Sequence, residues 1–210
     1  MNRRFRPIKN NGVSEGSLFS QLDIRKEKRY FRSSLSFFEH YSNSQKICQS
    51  IVKHPWFKSS RSIGFYNSFD GECDLSVLFK QAILQKKQCY FPYITQGSRQ
   101  LTFIRQTSMQ RFISHTYGLK QPLYTRYGHQ SAMALDLVLV PTVAFSSKGY
   151  RLGMGGGYYD YSFQQKNKKH MSMPRLLGVA FSGQETQHLI PNTWDVKLNA
   201  IATQQGVCYC

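Results

Sequence analysis

One segment constrains the fold and chemistry of this chain more than any other. It has an apolar run at residues 138–145, a glycine-rich loop at 149–157 and a helix start at 158–160. The apolar run is typical of a buried strand. Glycines remove the β-carbons that would keep a ligand from the backbone amides, and a helix N-terminus adds unpaired N–H donors and a dipole that favours anions. The segment therefore predicts a phosphate-binding loop, with Arg151 beside it and Asp160 at its end.

The loop matches neither of the common phosphate-binding motifs. No Gly-Lys-Ser/Thr closes it as in a P-loop, and Tyr158 stands where the dinucleotide motif has its last glycine. A glycine cluster alone is equally compatible with a tight, closely packed turn. The loop by itself leaves both interpretations open.

Apolar periodicity predicts alternating helices and strands around this segment. Residues 23–54 suit one long or broken amphipathic helix that ends near Pro55, and residues 74–87 and 158–169 suit two further helices. A polar stretch at 118–130 is typical of a surface excursion. Strands are predicted at 62–66, 88–92, 101–105, 135–145, 176–181, 200–203 and 207–209. This order indicates an α/β sheet covered by helices on both faces.

Length and composition limit the class of protein. A chain of 210 residues that is 40% hydrophobic can form one substantial core. We expect a flexible basic tail at 1–20 and a single domain at 21–210. No apolar run approaches the roughly 20 residues of a membrane span. Five scattered cysteines predict reduced, buried thiols in a cytoplasmic protein.

The net charge of +17 calls for an anionic partner or a tolerant surface, because self-repulsion of this size destabilises a compact chain. Nucleic acid would explain the charge, but the basic residues are spread along the chain without a dense arm or a recognised nucleic-acid motif. A basic cleft for a nucleoside triphosphate and a carboxylate-rich cosubstrate explains it equally well. A solvated basic surface accounts for most of the lysines.

Residues 149–160, Gly-Tyr-Arg-Leu-Gly-Met-Gly-Gly-Gly-Tyr-Tyr-Asp, follow Pro-Thr-Val-Ala-Phe and closely resemble the signature of the 5-formyltetrahydrofolate cyclo-ligase (5,10-methenyltetrahydrofolate synthetase) family. The resemblance spans residues 21–207, because further blocks are similar to that family in the same order. These blocks lie at 69–75, 91–92, 176–184 and 194–203. The resemblance implies a single three-layer α/β/α domain of the type shared with sugar-phosphate isomerases and coenzyme A transferases.

The resemblance also implies a reaction. Members of the family use magnesium ATP to convert 5-formyltetrahydrofolate into 5,10-methenyltetrahydrofolate, with release of ADP and phosphate through a phosphorylated formyl (imidate) intermediate. We expect a cytoplasmic monomer that binds ATP, Mg²⁺ and 5-formyltetrahydrofolate, with or without a polyglutamate tail, and neither membrane nor nucleic acid. The alternatives are a non-catalytic folate or nucleotide binder of the same fold and a basic nucleic-acid-binding module.

Residue by residue, the resemblance implies three groups of site residues. Loop amides and arginines suit phosphate oxygens, a carboxylate suits the amino-pyrimidine edge of a pterin, and Mg²⁺ prefers oxygen ligands. The implied ATP-binding residues are Arg25, Arg151, Leu152, Gly153, Gly155, Gly156, Gly157 and Tyr159. The implied substrate-binding residues are Glu72, Met154 and Tyr158, and the implied metal ligands are Asp160 and Asp195.

Several of these residues also have a purely structural interpretation. Asp160 would complement the dipole of its helix, Asp195 would cap a turn and Glu72 would be a loop acid. Tyr158 and Tyr159 open a helix, where aromatic residues commonly pack in the core. Both interpretations can hold together for the two aspartates.

The sequence departs from the family pattern at four positions. The family lysine falls on Gln21, some relatives carry arginine and lysine at the positions of Met154 and Gly156, and Asn199 replaces a common aspartate. Lys26 and Lys28 are the candidate replacements for the lysine missing at position 21. The loss of two loop cations predicts a weaker grip on the nucleotide phosphates.

Overall fold

The fold is seen in a computed structural model that describes residues 20–107, 112–114, 120–125, 128–168 and 171–210. The predicted tail lies outside these residues up to position 19, as do Lys169 and part of the predicted excursion. The helices of the described chain are α1 (Gln21–Ser34), α2 (Phe37–Lys53), α3 (Pro55–Ser59), α4 (Ser76–Leu84) and α5 (Tyr158–Lys168). Its strands are β1 (Ser62–Gly64), β2 (Gln88–Ile94), β3 (Leu101–Gln106), β4 (Phe112–Ser114), β5 (Lys120–Pro122), β6 (His129–Ser131), β7 (Leu137–Pro141), β8 (Ala144–Phe145), β9 (Arg151–Leu152), β10 (Arg175–Val179), β11 (Ala200–Thr203) and β12 (Gly206–Tyr209).

Eight strands form one mixed sheet in the order β12-β11-β10-β7-β1-β2-β3-β6. The five central strands, β11 to β2, run parallel. Strand β12 at one edge, and β3 and β6 at the other end of the sheet, pair antiparallel with their neighbours. The connections after β2 and β11 are too short for a crossover, so they form hairpins and reverse the chain. The prediction of an α/β sheet is therefore confirmed, with antiparallel edges added.

Helices cover both faces of the sheet, as predicted. Leu137 and Leu139 of β7 pack in one buried cluster with residues of α2, α3 and α4. Val138 and Val140 of the same strand belong to a second cluster, which contains Phe163 of α5. Side chains that alternate between two apolar clusters are expected of a strand buried on both sides.

The two longest predicted elements are interrupted. The helix predicted at 23–54 is broken into α1 and α2. Ser36 is the N-cap of α2 and forms a capping box with Glu39, which starts a new helix there. The single strand predicted at 135–145 is wrong beyond Pro141. Proline has no N–H to extend the parallel ladder, and the chain instead leaves the sheet and forms the hairpin β8–β9.

The helix predicted at 74–87 is shorter at both ends. Asp74 still serves its start, because its Oδ1 accepts the Ser76 N–H at 2.8 Å. The end is set by Lys86, whose φ of +57° leaves the helical region. The Lys87 N–H then donates back to the Ala82 carbonyl at 3.0 Å, which closes the last turn.

All five cysteines are unpaired, and Cys48, Cys73 and Cys89 are buried as predicted. Cys208 and Cys210 are exposed, because they lie at the edge strand β12 and the chain end, so the prediction of buried thiols is wrong for these two. Of the helices in the described chain, none has the length and apolar character needed to cross a membrane.

Candidate active site

A cleft of about 370 Å³ opens at the carboxyl ends of the central strands. Tyr66 follows β1, and Ile94 and Pro141 end β2 and β7, so these strands form its floor. Parallel sheets commonly bind ligands at this edge, and the volume lies within the range of about 300–1,000 Å³ typical of small-molecule sites. Every site residue implied by the resemblance lines the cleft: Arg25, Glu72, Arg151, Leu152, Gly153, Met154, Gly155, Gly156, Gly157, Tyr158, Tyr159, Asp160 and Asp195.

The glycine loop forms one wall of the cleft and needs glycine at particular positions. Gly155 and Gly157 have φ values of +104° and +67°, which side-chain-bearing residues rarely adopt. A β-carbon at Gly156 would lie 2.8 Å from the Tyr158 ring, so the lysine of some relatives could not enter without moving that ring. The loop leads directly into the N-terminus of α5, where backbone N–H groups favour anions.

Gly155→Ala is expected to lower the free energy of unfolding by about 1–3 kcal/mol, because it forces an L-residue into a strained conformation. Gly153→Ala is the matched control, since Gly153 has ordinary φ and its added β-carbon would contact nothing within 4 Å. Urea denaturation of both variants measures the difference. Equal stability of the two would contradict the strain assigned to Gly155.

Helix α1 holds this wall through polar contacts. Arg25 Nε donates to the Gly153 carbonyl at 2.9 Å, and burial lowers the pKa of Arg25 without removing its charge. Gln21, where the resemblance implies a lysine, donates to the Ile190 carbonyl at 3.1 Å. The predicted replacements Lys26 and Lys28 are not among the residues that line the cleft.

Lys120 is a cleft residue that the sequence did not reveal. It begins β5 and lines the cleft, and its carbonyl accepts a hydrogen bond from Asn67 Nδ2 at 2.8 Å. Among the lining residues that the structure describes, Lys120 joins Arg25 and Arg151 as the cations. No motif surrounds Lys120, so only the tertiary fold brings it to the site.

Arg151 is engaged with protein groups rather than free in the cleft. Its side chain is only 4% exposed, Nη2 donates to Asp160 Oδ1 at 2.8 Å, and Nη1 donates to the Val196 carbonyl. The same Asp160 oxygen accepts the Val196 N–H at 3.0 Å. This network ties the loop to α5 and to the segment that carries Asp195.

If Arg151 helps to bind ATP, as the resemblance implies, Arg151→Ala is expected to raise the KM for ATP about tenfold or more, because it removes a charged donor from the cleft. It should also lower the free energy of unfolding by about 1–3 kcal/mol, since the Val196 carbonyl loses its partner. Steady-state kinetics and urea denaturation measure the two effects. A change in folate KM alone would contradict the assignment of Arg151 to the nucleotide side.

Asp160 and Asp195 suit a magnesium ion that arrives with a nucleotide. Both line the cleft, and Val196, next to Asp195 in the chain, hydrogen-bonds to Asp160. Asp195 Oδ2 also accepts the Asn192 N–H at 2.8 Å. Within the described ranges, no group of three or more metal-binding side chains comes together. Mg²⁺ usually takes one or two carboxylates plus phosphates and waters, so two carboxylates fit the ion.

Glu72 faces the cleft from a tight turn. The Glu72 N–H donates to the Phe69 carbonyl at 3.0 Å, and the Phe69 N–H donates to Glu72 Oε2 at 3.2 Å. Burial raises the pKa of Glu72 to about 7, against the opposing positive charge of Arg32. A carboxylate poised near neutral pH in a cleft is typical of a functional group.

The two tyrosines that open α5 differ in surroundings. Tyr159 is partly buried, stacks on Phe163 at 6.2 Å, and has its pKa raised by burial and by the charge of Glu72. Tyr158 is half-buried and reaches the loop beside Gly156. Tyr159 therefore supports the wall, whereas Tyr158 can meet a ligand with its ring.

Leu152 and Met154 also differ in how they can contact a ligand. The Leu152 side chain is buried against Ile24 and Ala144, which leaves its backbone to face the cleft. Met154 is 47% exposed at the rim. An exposed thioether can adapt to a flat apolar ligand.

These features define a mixed α/β protein whose cleft is lined by both a glycine-rich loop and a buried carboxylate. The 5-formyltetrahydrofolate cyclo-ligase family matches residues 19–204. The chain belongs to that family.

Curated relatives and solved structures agree with the family match. The chain is 30% identical over 177 residues to the 5-formyltetrahydrofolate cyclo-ligase of Haemophilus influenzae, covering 83% of this chain and 92% of the relative. It is 28% identical to a probable 5-formyltetrahydrofolate cyclo-ligase of Caenorhabditis elegans, covering 85% and 92%. The NMR structure of the 5,10-methenyltetrahydrofolate synthetase of Aquifex aeolicus superposes with a TM-score of 0.75 at 28% identity, covering 90% and 92%.

Proposed function

We propose that this chain is a ligase that converts 5-formyltetrahydrofolate into 5,10-methenyltetrahydrofolate and cleaves ATP to ADP and phosphate in the process. Family membership supports the reaction. One observation supports the reaction at these residues: the glycine loop and Glu72 line the same cleft. A phosphate donor and a pterin can therefore meet in one site.

In the proposed reaction, the formyl oxygen attacks the γ-phosphorus of ATP and ADP departs. The formyl oxygen becomes part of a phosphate leaving group, which activates a poor electrophile. Nitrogen 10 then attacks the formyl carbon, loses its proton and closes the ring as phosphate leaves. No covalent bond to the protein is needed, so the protein supplies positioning and charge stabilisation.

The glycine wall would hold the nucleotide. The amides of Gly153, Gly155, Gly156 and Gly157 approach its phosphates, Arg25 and Arg151 supply positive charge, and Leu152 and Tyr159 shape the wall. Asp160 and Asp195 would hold Mg²⁺, which neutralises phosphate charge when bound. The hydrogen bonds among Arg151, Asp160 and Val196 would fix the relative positions of these groups.

The part of the cleft around Glu72 would hold the folate. Glu72 accepts paired hydrogen bonds from the amino-pyrimidine edge of the pterin, which requires its charged form. Tyr158 and Met154 offer an aromatic ring and a thioether to the rest of the substrate. The substrate then lies between Glu72 and the γ-phosphate.

We also infer a single domain over residues 21–210, of the three-layer type shared with sugar-phosphate isomerases and coenzyme A transferases. The free cysteines support a reducing, cytoplasmic compartment. We further propose a monomer that accepts polyglutamylated substrate and has no nucleic-acid partner.

The purified protein tests the function directly. With ATP, Mg²⁺ and 5-formyltetrahydrofolate, we expect the absorbance of 5,10-methenyltetrahydrofolate to appear, and to stay absent when ATP is left out. Folate binding without product would identify a non-catalytic binder. Salt-sensitive binding to arbitrary duplex that exceeds folate binding would favour the nucleic-acid alternative.

A further inference from the structure

Arg32, near the end of α1, is a buried cation that does not line the cleft. Its side chain is fully buried, and Nη2 contacts Asp70 Oδ2 at 2.7 Å. Nη1 lies 3.8 Å from Glu72 Oε1, and neither Nε nor Nη1 has a hydrogen-bond partner in the described chain. Burying unsatisfied charged donors is costly, so fold stability alone does not explain an arginine here.

The tight turn at residues 69–72, here called the Glu72 turn, packs against this arginine. Asp70 and Gly71, its central residues, have φ values of +52° and +71°. A left-handed conformation at a non-glycine residue needs support from its surroundings. Arg29 Nε and Arg32 Nη2 both contact Asp70 Oδ2 at 2.7 Å, and a β-carbon at Gly71 would meet Arg32 Cβ at 3.4 Å.

The same helix contacts both the glycine loop and the Glu72 turn. Arg25, Arg29 and Arg32 are separated by four and three residues, which puts them on one face of α1. Arg25 binds the glycine loop at Gly153, while the other two bind Asp70 in the Glu72 turn. Helix α1 therefore connects the glycine loop to the Glu72 turn.

We propose that Arg32 is a positioning residue, which fixes the Glu72 turn and keeps the Glu72 carboxylate charged for the substrate. The proposal rests on the proposed function. Arg32 does not line the cleft, so it acts only through Glu72. Sequence alone would place it on a solvated basic helix face.

The charged groups around Glu72 favour this assignment. Arg32 faces it from α1, and its positive charge opposes the rise that burial causes in the pKa of Glu72. Asp70, in the same turn, acts in the opposite direction as a like charge. From α2, His40 Nε2 contacts the Glu72 carbonyl at 3.0 Å, and from the core, the pKa values of Tyr66 and Tyr159 are raised, so both phenols stay neutral.

Arg32→Met tests the proposal, because it keeps an unbranched apolar side chain and removes the charged guanidinium. At pH 7 we expect the KM for 5-formyltetrahydrofolate to rise about tenfold or more, while the KM for ATP changes less than about twofold. The acid limb of kcat/KM for 5-formyltetrahydrofolate should move to higher pH by about one unit. Arg32→Lys should return the limb close to that of the wild type.

Two further variants separate positioning from folding. Arg29→Met also removes a contact with Asp70 Oδ2, but from an exposed position on α1. It should leave the acid limb of kcat/KM unchanged. Asp70→Asn removes the like charge, and should move the limb to lower pH, opposite to Arg32→Met. This second variant decides the matter if Arg32→Met fails to fold.

The outcomes distinguish this proposal from the proposed function. A wild-type chain that neither binds nor converts 5-formyltetrahydrofolate overturns both. If the wild type is active, a wild-type acid limb in Arg32→Met overturns the role of Arg32 alone. Equal shifts in Arg29→Met and Arg32→Met would also overturn it, because they would indicate general loosening of the turn.

Discussion

Asp160→Asn is expected to lower kcat by about 10²- to 10³-fold while the protein stays folded. Asparagine has nearly the same volume, and its carbonyl can still accept the Val196 N–H. The substitution removes the negative charge that pairs with Arg151 and that would hold a metal ion. The effect is large because a charge in a cleft acts at short range and in a low dielectric.

The rate of 5,10-methenyltetrahydrofolate formation, followed over a range of Mg²⁺ concentrations, measures this effect. Asp23→Asn is the matched control, because Asp23 is an exposed aspartate of α1 that does not line the cleft. If Asp160 binds the metal, its variant should need more Mg²⁺. Unchanged turnover at limiting Mg²⁺ would contradict the metal role, and a raised ATP KM with an unchanged Mg²⁺ requirement would indicate that Asp160 acts only by holding Arg151.

Much of the fold follows from local pattern. Apolar runs separated by amphipathic segments predicted the central strands and the helices on both faces, because a strand buried on both sides needs such a run. The hairpin β8–β9 was not predicted, since 135–145 is apolar throughout. Pro141 is the local signal that could have marked the end of the strand. Strand order and the antiparallel edges depend on contacts between distant residues, which periodicity does not encode.

The site followed from the family resemblance rather than from spacing. The glycine loop matched no general motif, yet all the residues implied by the resemblance line one cleft. The sequence did not predict the residues that support these site residues. Arg32 and Asp70 lie 38 positions apart and meet only because α1 packs against the Glu72 turn. Likewise, a sequence cannot tell that Arg151 already pairs with Asp160 and Val196.

Glu72→Gln is expected to raise stability at alkaline pH while it weakens folate binding. The folded-state pKa of Glu72 is raised to about 7 from a usual value of 4.5, so the native state binds an extra proton between these values. Wild-type stability should therefore fall as pH rises through this window, and level off above it. Glutamine cannot ionise, so from pH 4.5 to 8 the stability of the variant should gain on that of the wild type by on the order of 3 kcal/mol.

Urea denaturation at several pH values measures this gain, and titration with 5-formyltetrahydrofolate at pH 8 measures the lost affinity. Glu39→Gln is a control of opposite sign, because Glu39 caps α2, and hydrogen bonds from Ser36 lower its pKa. It should destabilise the protein equally at pH 5.5 and 8. A gap between Glu72→Gln and wild type that does not change with pH would contradict the raised pKa. A gain in stability together with a loss of folate affinity would indicate that the chain sacrifices stability to keep a charged group in its cleft, as enzymes commonly do at functional sites.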